Sequence, residues 1–278
     1  METFSLFLLN SVIIYYVITK NKPVGSTVLN VKNLVVVYGS KIAVNNITFS
    51  IRHGEIFGLL GPNGAGKTST LNAIEGLIKP QSGRLLLNGI NIEQHSSTAK
   101  ANMGVQLQAT SFQSELTINQ IVKLYAGLYS MKLSNKDIIE SLRLIGLEDE
   151  AGKPFKKLSG GQQQRLSLYI ANIHSPLLLL LDEPTSGLDP QSRRQLWDRI
   201  EHNRQNGGSI LITTHSMEEA EAVCDRVAII DNGKIIAIDT PKDLIKKHEN
   251  DPNVRKISRG KITLEDVFIS LTGGEIRE

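Results

Sequence analysis

The sequence predicts a mostly parallel α/β core with an antiparallel β edge and an inserted helical subdomain. Three observations predict it. Strand-like and helical patterns alternate from Thr27 onward. The unbroken apolar run Leu177 to Leu181 suits a central parallel strand covered on both faces. Helical periodicity then dominates from about residue 96 to residue 157, as at Ile118, Ile121, Val122, Leu124 and Tyr125.

Taken in order, Leu34 to Tyr38 is rich in β-branched residues and ends at Gly39, which predicts a strand. Ile47 to Ile51 alternates, and Glu55 to Leu60 is a short apolar run ending in glycine. Leu71, Ile74, Leu77 and Ile78 fall at helical spacing, and Pro80, Ser82 and Gly83 stop that helix. Arg84 to Leu87 and Ile90 to Ile92 flank Asn88-Gly89, a hairpin signal. After the leucine run, Ile210 to Thr213 and Val227 to Ile230 read as strands separated by helices. Asn232-Gly233 turns the latter into Lys234 to Ile238. Lys242 to Arg259 reads as a charged tail before a last helix at Leu264 to Leu271.

Residues 1–26 form a different region. Phe4 to Ile18 is apolar but shorter than the about 20 residues a spanning helix needs. Glu2 stands where a secretory signal carries positive charge, and no small-residue cleavage site follows. Either a weak membrane-contacting extension or a segment without a folded role fits. The linker-like Asn21, Lys22, Pro23, Gly25 and Ser26 place the start of the folded domain, 27–278, near Thr27.

Composition narrows the function classes. At 40% hydrophobic and 21% charged, the 278 residues match a globular protein. Net charge is only +3 and the basic residues are scattered, which gives no support to a nucleic-acid partner. Cys224 is the single cysteine, so no internal disulfide forms. The 6 histidines lack ligand spacing.

Gly61-Pro62-Asn63-Gly64-Ala65-Gly66-Lys67-Thr68 fits GxxxxGK[ST] between a strand and a helix. Glycines let consecutive backbone N–H groups curl around phosphates, and the helix N-terminus adds its positive dipole end. Lys67 then reaches the β- and γ-phosphates, Thr68 ligates Mg²⁺, and Ser69 is placed to bind a further phosphate oxygen. Asp182 and Glu183 follow the leucine strand at its carboxyl end, where ligands bind in such sheets. Asp182 is expected to hold Mg²⁺ and Glu183 to polarise the attacking water. An acidic helix cap is the plainer reading for either carboxylate alone.

Leu158-Ser159-Gly160-Gly161-Gln162, between the phosphate loop and the acidic strand, resembles the signature motif of ABC ATPases. The resemblance covers nearly all of residues 27–274 and implies a P-loop NTPase fold of the ABC-ATPase type. It implies that Ser159, Gly160, Gly161 and Gln162 bind the γ-phosphate held by an opposite subunit, so that two cassettes sandwich two ATP molecules. It further assigns adenine stacking to Tyr38 and Mg²⁺ sensing to Gln108, with Gln106 nearby. Asp189, in Ser186-Gly187-Leu188-Asp189, would link the two sites, and His215 would contact the γ-phosphate.

Thr214 to Glu221, with Cys224-Asp225-Arg226, and Leu264 to Phe268 resemble the ABC-2 drug and antibiotic exporter ATPases. That implies an ATPase with ATP and Mg²⁺, a polytopic permease partner, a second cassette, and a peripheral place on the cytoplasmic face of the membrane. The permease is expected near residues 108–125. A soluble ABC ATPase acting on the ribosome or nucleic acid is the alternative.

Overall fold

The computed structural model describes residues 26–106 and 112–273. Strands β1 (Thr27–Tyr38), β2 (Lys41–Arg52), β4 (Ser82–Leu87) and β5 (Ile90–Asn91) form an antiparallel sheet in the order β2-β1-β4-β5. Strands β3 (Ile56–Leu60), β6 (Met103–Val105), β7 (Leu178–Asp182), β8 (Ser209–Thr214), β9 (Arg226–Asp231) and β10 (Lys234–Asp239) form a second sheet, ordered β10-β9-β3-β8-β7-β6. Within it β3, β6, β7, β8 and β9 run parallel, and β10 alone pairs antiparallel.

The leucine run explains how the layers hold together. Side chains alternate across a strand, so Leu178 and Leu180 join the cluster containing Phe49, Phe57 and Leu85, between the two sheets. Leu179 and Leu181 join the opposite cluster, with Ile56, Leu196, Ile200 and Phe268. Each buried leucine contributes about 1.5–3 kcal/mol, which makes β7 the anchor of both layers.

Helices α1 (Lys67–Ile74), α2 (Ser96–Ala101), α3 (Ile118–Leu128), α4 (Asn135–Leu144) and α5 (Gly160–Asn172) precede β7. Helices α6 (Pro190–Gln205), α7 (Met217–Val223), α8 (Pro241–His248), α9 (Pro252–Ile257) and α10 (Leu264–Thr272) follow it. Helices α3 and α4 build a third cluster from Ile118, Ile121, Val122, Ile138 and Leu142, to which α5 adds Leu166 and Ile170. Since Leu168 and Ala171 of α5 belong to the main core, α5 is the strut between insert and core.

Three expectations differ from the structure. The helical stretch expected from residue 96 is interrupted, because β6 pairs with β7 at the edge of the main sheet and Ala99 packs in the inter-sheet core. The separate helical cluster begins at Phe112. A three-residue strand is too short to declare a period of two. Lys242 to Arg259 holds α8 and α9 rather than a tail; each starts with proline behind a capping side chain, Thr240 or Asp251. Strand β1 begins at Thr27, not Leu34, because a register shift between Val31 and Leu34, with Asn33 at φ 51°, scrambles the alternation. Phe4 to Ile18 and Gln108 lie outside the described residues.

Candidate nucleotide site

The loop Gly61 to Gly66 joins β3 to α1 and is braced from outside. Gly233 N–H donates to Ala65 O at 3.0 Å, Asn45 N–H to Gly233 O at 2.7 Å, and Gly61 N–H to Thr214 O at 3.2 Å. Gly66 has φ 109°, and a Cβ there would sit 2.6 Å from Ala43 O, so only glycine fits. Helices α3 to α10 start on a side-chain cap, from Thr117, Ser134, Ser159, Asp189, Ser216, Thr240, Asp251 and Thr263. Helix α1 starts at Gly66 with no such cap, so its first N–H groups and dipole suit an external anion.

Lys67 lies inside this cradle, its side chain only 5% exposed. Its ammonium donates to Gly61 O at 2.7 Å and Pro62 O at 3.2 Å and sits 3.2 Å from Glu183 Oε1. The other oxygen, Glu183 Oε2, is 3.1 Å from His215 Nδ1. Burial alone would raise the Glu183 carboxyl, but the His215 hydrogen bond and the Lys67 charge outweigh it and hold the group below its ordinary 4.5. At neutral pH it is a carboxylate. Its backbone has φ 46°, left-handed for a non-glycine residue, and Glu183 N–H donates to Thr213 O at 3.0 Å. That turn directs Glu183 away from Asp182.

Asp182 hydrogen-bonds the Thr213 hydroxyl through Oδ1, and its Oδ2 accepts from Thr68 Oγ1 at 3.4 Å. Among the described residues no group of three or more His, Cys, Asp or Glu could cage a metal. A hydroxyl and a carboxylate side by side suit a hard cation such as Mg²⁺, which usually takes its remaining oxygens from phosphates and water.

Lys67, Thr68, Asp182, Glu183 and His215 therefore converge on one mouth. Asn63, Gly64 and Thr68 are exposed there, and Pro62, Ala65 and Ser69 complete the turn and first helical residues. Tyr38 stands at the end of β1, 47% exposed.

The glycine-led helix α5 is elsewhere. Ser159 and Gln162 form a capping box, with Ser159 N–H donating to Gln162 Oε1 at 2.9 Å and Gln162 N–H to Ser159 Oγ at 3.3 Å. Its groove is lined by Gly161, Gln164, Leu188, Ser192 and Gln195, none from the phosphate loop. Asp189 caps α6 beside it and bonds Ser192 Oγ at 2.6 Å.

Residues 44–186 match the ABC transporter family. The chain belongs to the ABC transporter family, as an ATP-binding cassette. Over 80% of its length the cassette is 40% identical to a Nod factor export ATP-binding protein I of Ralstonia nicotianae, covering 70% of that protein. It is 37% identical over 89% of its length to a probable multidrug ABC transporter ATP-binding protein of Escherichia coli, of which it spans only 42%. Among solved structures, a dimeric post-hydrolysis ATP-binding cassette bound to ADP and Pi superposes with TM-score 0.68 at 25% identity, covering 76% of this chain and 98% of that one.

Two site features escaped the sequence. Thr213 holds both Asp182 and the Glu183 backbone; its only signal was its place two residues before His215. Glu75, just past α1, is pushed up to about 7 by burial and by Asp182, with Lys100 opposing. It opens onto a groove of about 330 Å³ between core and insert, lined by Leu77, Met103, Val105, Tyr125 and Tyr129. Gln106, directly after β6, is buried, its side-chain oxygen without a hydrogen-bond partner.

Proposed function

We propose that this cassette binds and hydrolyses ATP as one half of a dimer, and that the dimer drives export through a separate polytopic permease at the cytoplasmic face of the membrane. The observation that carries the reading is the convergence of Lys67, Glu183 and His215, with distances of 3.2 and 3.1 Å.

The geometry and the motifs together support these residue roles. A triphosphate offers Lys67 better acceptors than two backbone carbonyls and one carboxylate, so the ammonium moves onto the β- and γ-phosphates. Gly61, Pro62, Asn63, Gly64, Ala65 and Gly66 wrap the phosphates with backbone N–H groups, and Ser69 adds a hydroxyl. Tyr38 offers its ring to adenine. Thr68 and Asp182 would hold Mg²⁺, with Gln108 as a further ligand; when bound, the ion supplies charge neutralisation at the phosphates. Glu183, released from Lys67, accepts a proton from the attacking water. His215, its Nδ1 3.1 Å from Glu183 Oε2, keeps that carboxylate oriented and stands at the γ-phosphate position. Ser159, Gly160, Gly161 and Gln162 of the opposite subunit present a second helix N-terminus to the same phosphate. Asp189 sits beside them and links the two sites.

Export as the purpose is supported by the relatives' names. Exposed Leu124, Leu128 and Tyr129, beside the groove at Tyr125, offer the apolar surface on which a permease would dock. The test is to co-purify the chain with a candidate permease and measure Mg·ATP hydrolysis against protein concentration. Turnover that rises with dimer formation supports the proposal. No hydrolysis with or without the permease, or full turnover by isolated monomers, refutes it.

A further inference from the structure

Glu219, on α7, has 0% of its surface exposed, although a carboxylic acid is rarely fully buried. Trp197 Nε1 of α6 donates to its Oε1 at 3.3 Å. Its own N–H donates to Ser216 Oγ at 3.2 Å. The hydroxyls of Thr185 and Thr214 also face the carboxyl. Oε2 is buried without a partner at hydrogen-bonding distance.

These neighbours are not random core residues. Thr185 lies two positions after Glu183 and four before Asp189, and its carbonyl accepts from Leu188 N–H at 3.2 Å. Thr214 directly precedes His215, its carbonyl accepts from Gly61 N–H at 3.2 Å, and its hydroxyl accepts from Ser216 N–H at 2.9 Å. Trp197 stands on the helix that Asp189 caps. One carboxyl therefore meets the segment bearing Glu183 and Asp189, the segment bearing His215, and the helix joined to the first.

We propose that Glu219 is a positioning residue for ATP hydrolysis, fixing the His215 segment and the Glu183–Asp189 segment relative to one another. Burying a carboxyl costs folding free energy that an apolar side chain of similar volume does not, so packing alone does not account for it. Burial raises its pKa above the ordinary 4.5 despite the Thr214, Thr185 and Trp197 contacts and the nearby Arg193 charge. Its Oε1 accepts from Trp197 Nε1–H, a contact that the amide oxygen of a glutamine can keep. Cys224, whose thiol Glu219 helps push up, and Arg193, paired with Glu218 at 2.9 Å, are the other titratable neighbours.

The inference rests on the ATPase reading above. Its test compares Glu219→Gln and Glu219→Leu with wild type in the full chain, measuring kcat and KM for ATP and the thermal midpoint. Glutamine keeps a donor and an acceptor, so kcat should stay within about threefold of wild type; leucine should lower kcat by about tenfold or more with KM unchanged. Wild-type kcat in Glu219→Leu, or equal loss in both variants, overturns the proposal. So does a parallel fall of kcat, affinity and thermal midpoint in Glu219→Leu, which marks a merely structural role. If Glu219→Leu does not fold, the double variant Thr185→Val with Trp197→Phe keeps the carboxyl and removes two partners. It should lower kcat at constant KM, and unchanged kcat overturns the proposal. A wild-type chain that never hydrolyses ATP instead refutes the proposed function.

Discussion

Replacing Glu183 with glutamine removes one negative charge at almost constant volume, and the structure says which consequence dominates. Glu183 Oε1 is 3.2 Å from the Lys67 ammonium, a bare attraction of about 5 kcal/mol at an effective dielectric near 20. The carboxylate side chain is 29% exposed, so screening and desolvation reduce the net stabilisation to about 1 kcal/mol. Losing a positioned general base costs about a hundredfold to ten-thousandfold in rate, roughly 3–5 kcal/mol of barrier. The kinetic loss therefore exceeds the loss of stability severalfold. Binding should move the other way, because the lost charge faces the incoming γ-phosphate. The assay is phosphate release at saturating Mg·ATP, with ATP titration and size-exclusion chromatography on the same protein. Expected are a collapse of kcat, unchanged or tighter ATP binding, and accumulation of ATP-bound dimer. A kcat within about threefold of wild type, or a rate loss fully explained by weaker binding, would refute the role given to Glu183.

Lys67→Ala should weaken ATP binding by about tenfold or more, since it removes the buried ammonium inside the cradle; an unaltered titration would remove that role. Gly104→Ala places a Cβ 2.1 Å from Ala171 O, so the unfolding free energy from denaturant titration should fall by about 1–3 kcal/mol; wild-type stability would disprove the close packing of β6 on α5. Ser159→Ala removes half of the α5 capping box and should cost about 1 kcal/mol in thermal or chemical unfolding. Glu75 carries a folded pKa of about 7 against an ordinary 4.5, so the folded state holds the extra proton between those values. Stability from this group is present at low pH and declines as pH rises from about 4.5 through about 7. Glu75→Gln should flatten that decline in urea midpoints across the window, and an unchanged slope would contradict it.

Much of the site was legible because its chemistry is local. The phosphate loop needs its glycines, lysine and hydroxyl within eight consecutive residues, and the two carboxylates must follow a buried strand directly. The hairpins at Asn88-Gly89 and Asn232-Gly233 were equally plain, since left-handed φ at the turn selects those residues. Legibility failed where the period was too short or disturbed. β6 has three residues, and β1 carries a register shift at Asn33 that breaks its alternation. Helices α8 and α9 were masked by their charge, although Thr240-Pro241 and Asp251-Pro252 are good start signals, because each buries little more than Leu244 or Val254.

The sequence by itself determined the chemistry that consecutive residues can declare: a phosphate cradle, a pair of acids and a glycine-led helix start. Only the tertiary structure decided which distant groups meet. It brought Lys67, Glu183 and His215 to one point, set Thr213 against Asp182, and enclosed Glu219 among Thr185, Trp197 and Thr214. It also set Ser159 in a groove with Leu188, Ser192 and Gln195, lined by no residue of the phosphate loop. The reason is physical: a motif fixes backbone shape through local dihedrals and hydrogen bonds, whereas the meeting of side chains distant in sequence depends on parallel strand order and burial on both faces of the sheet.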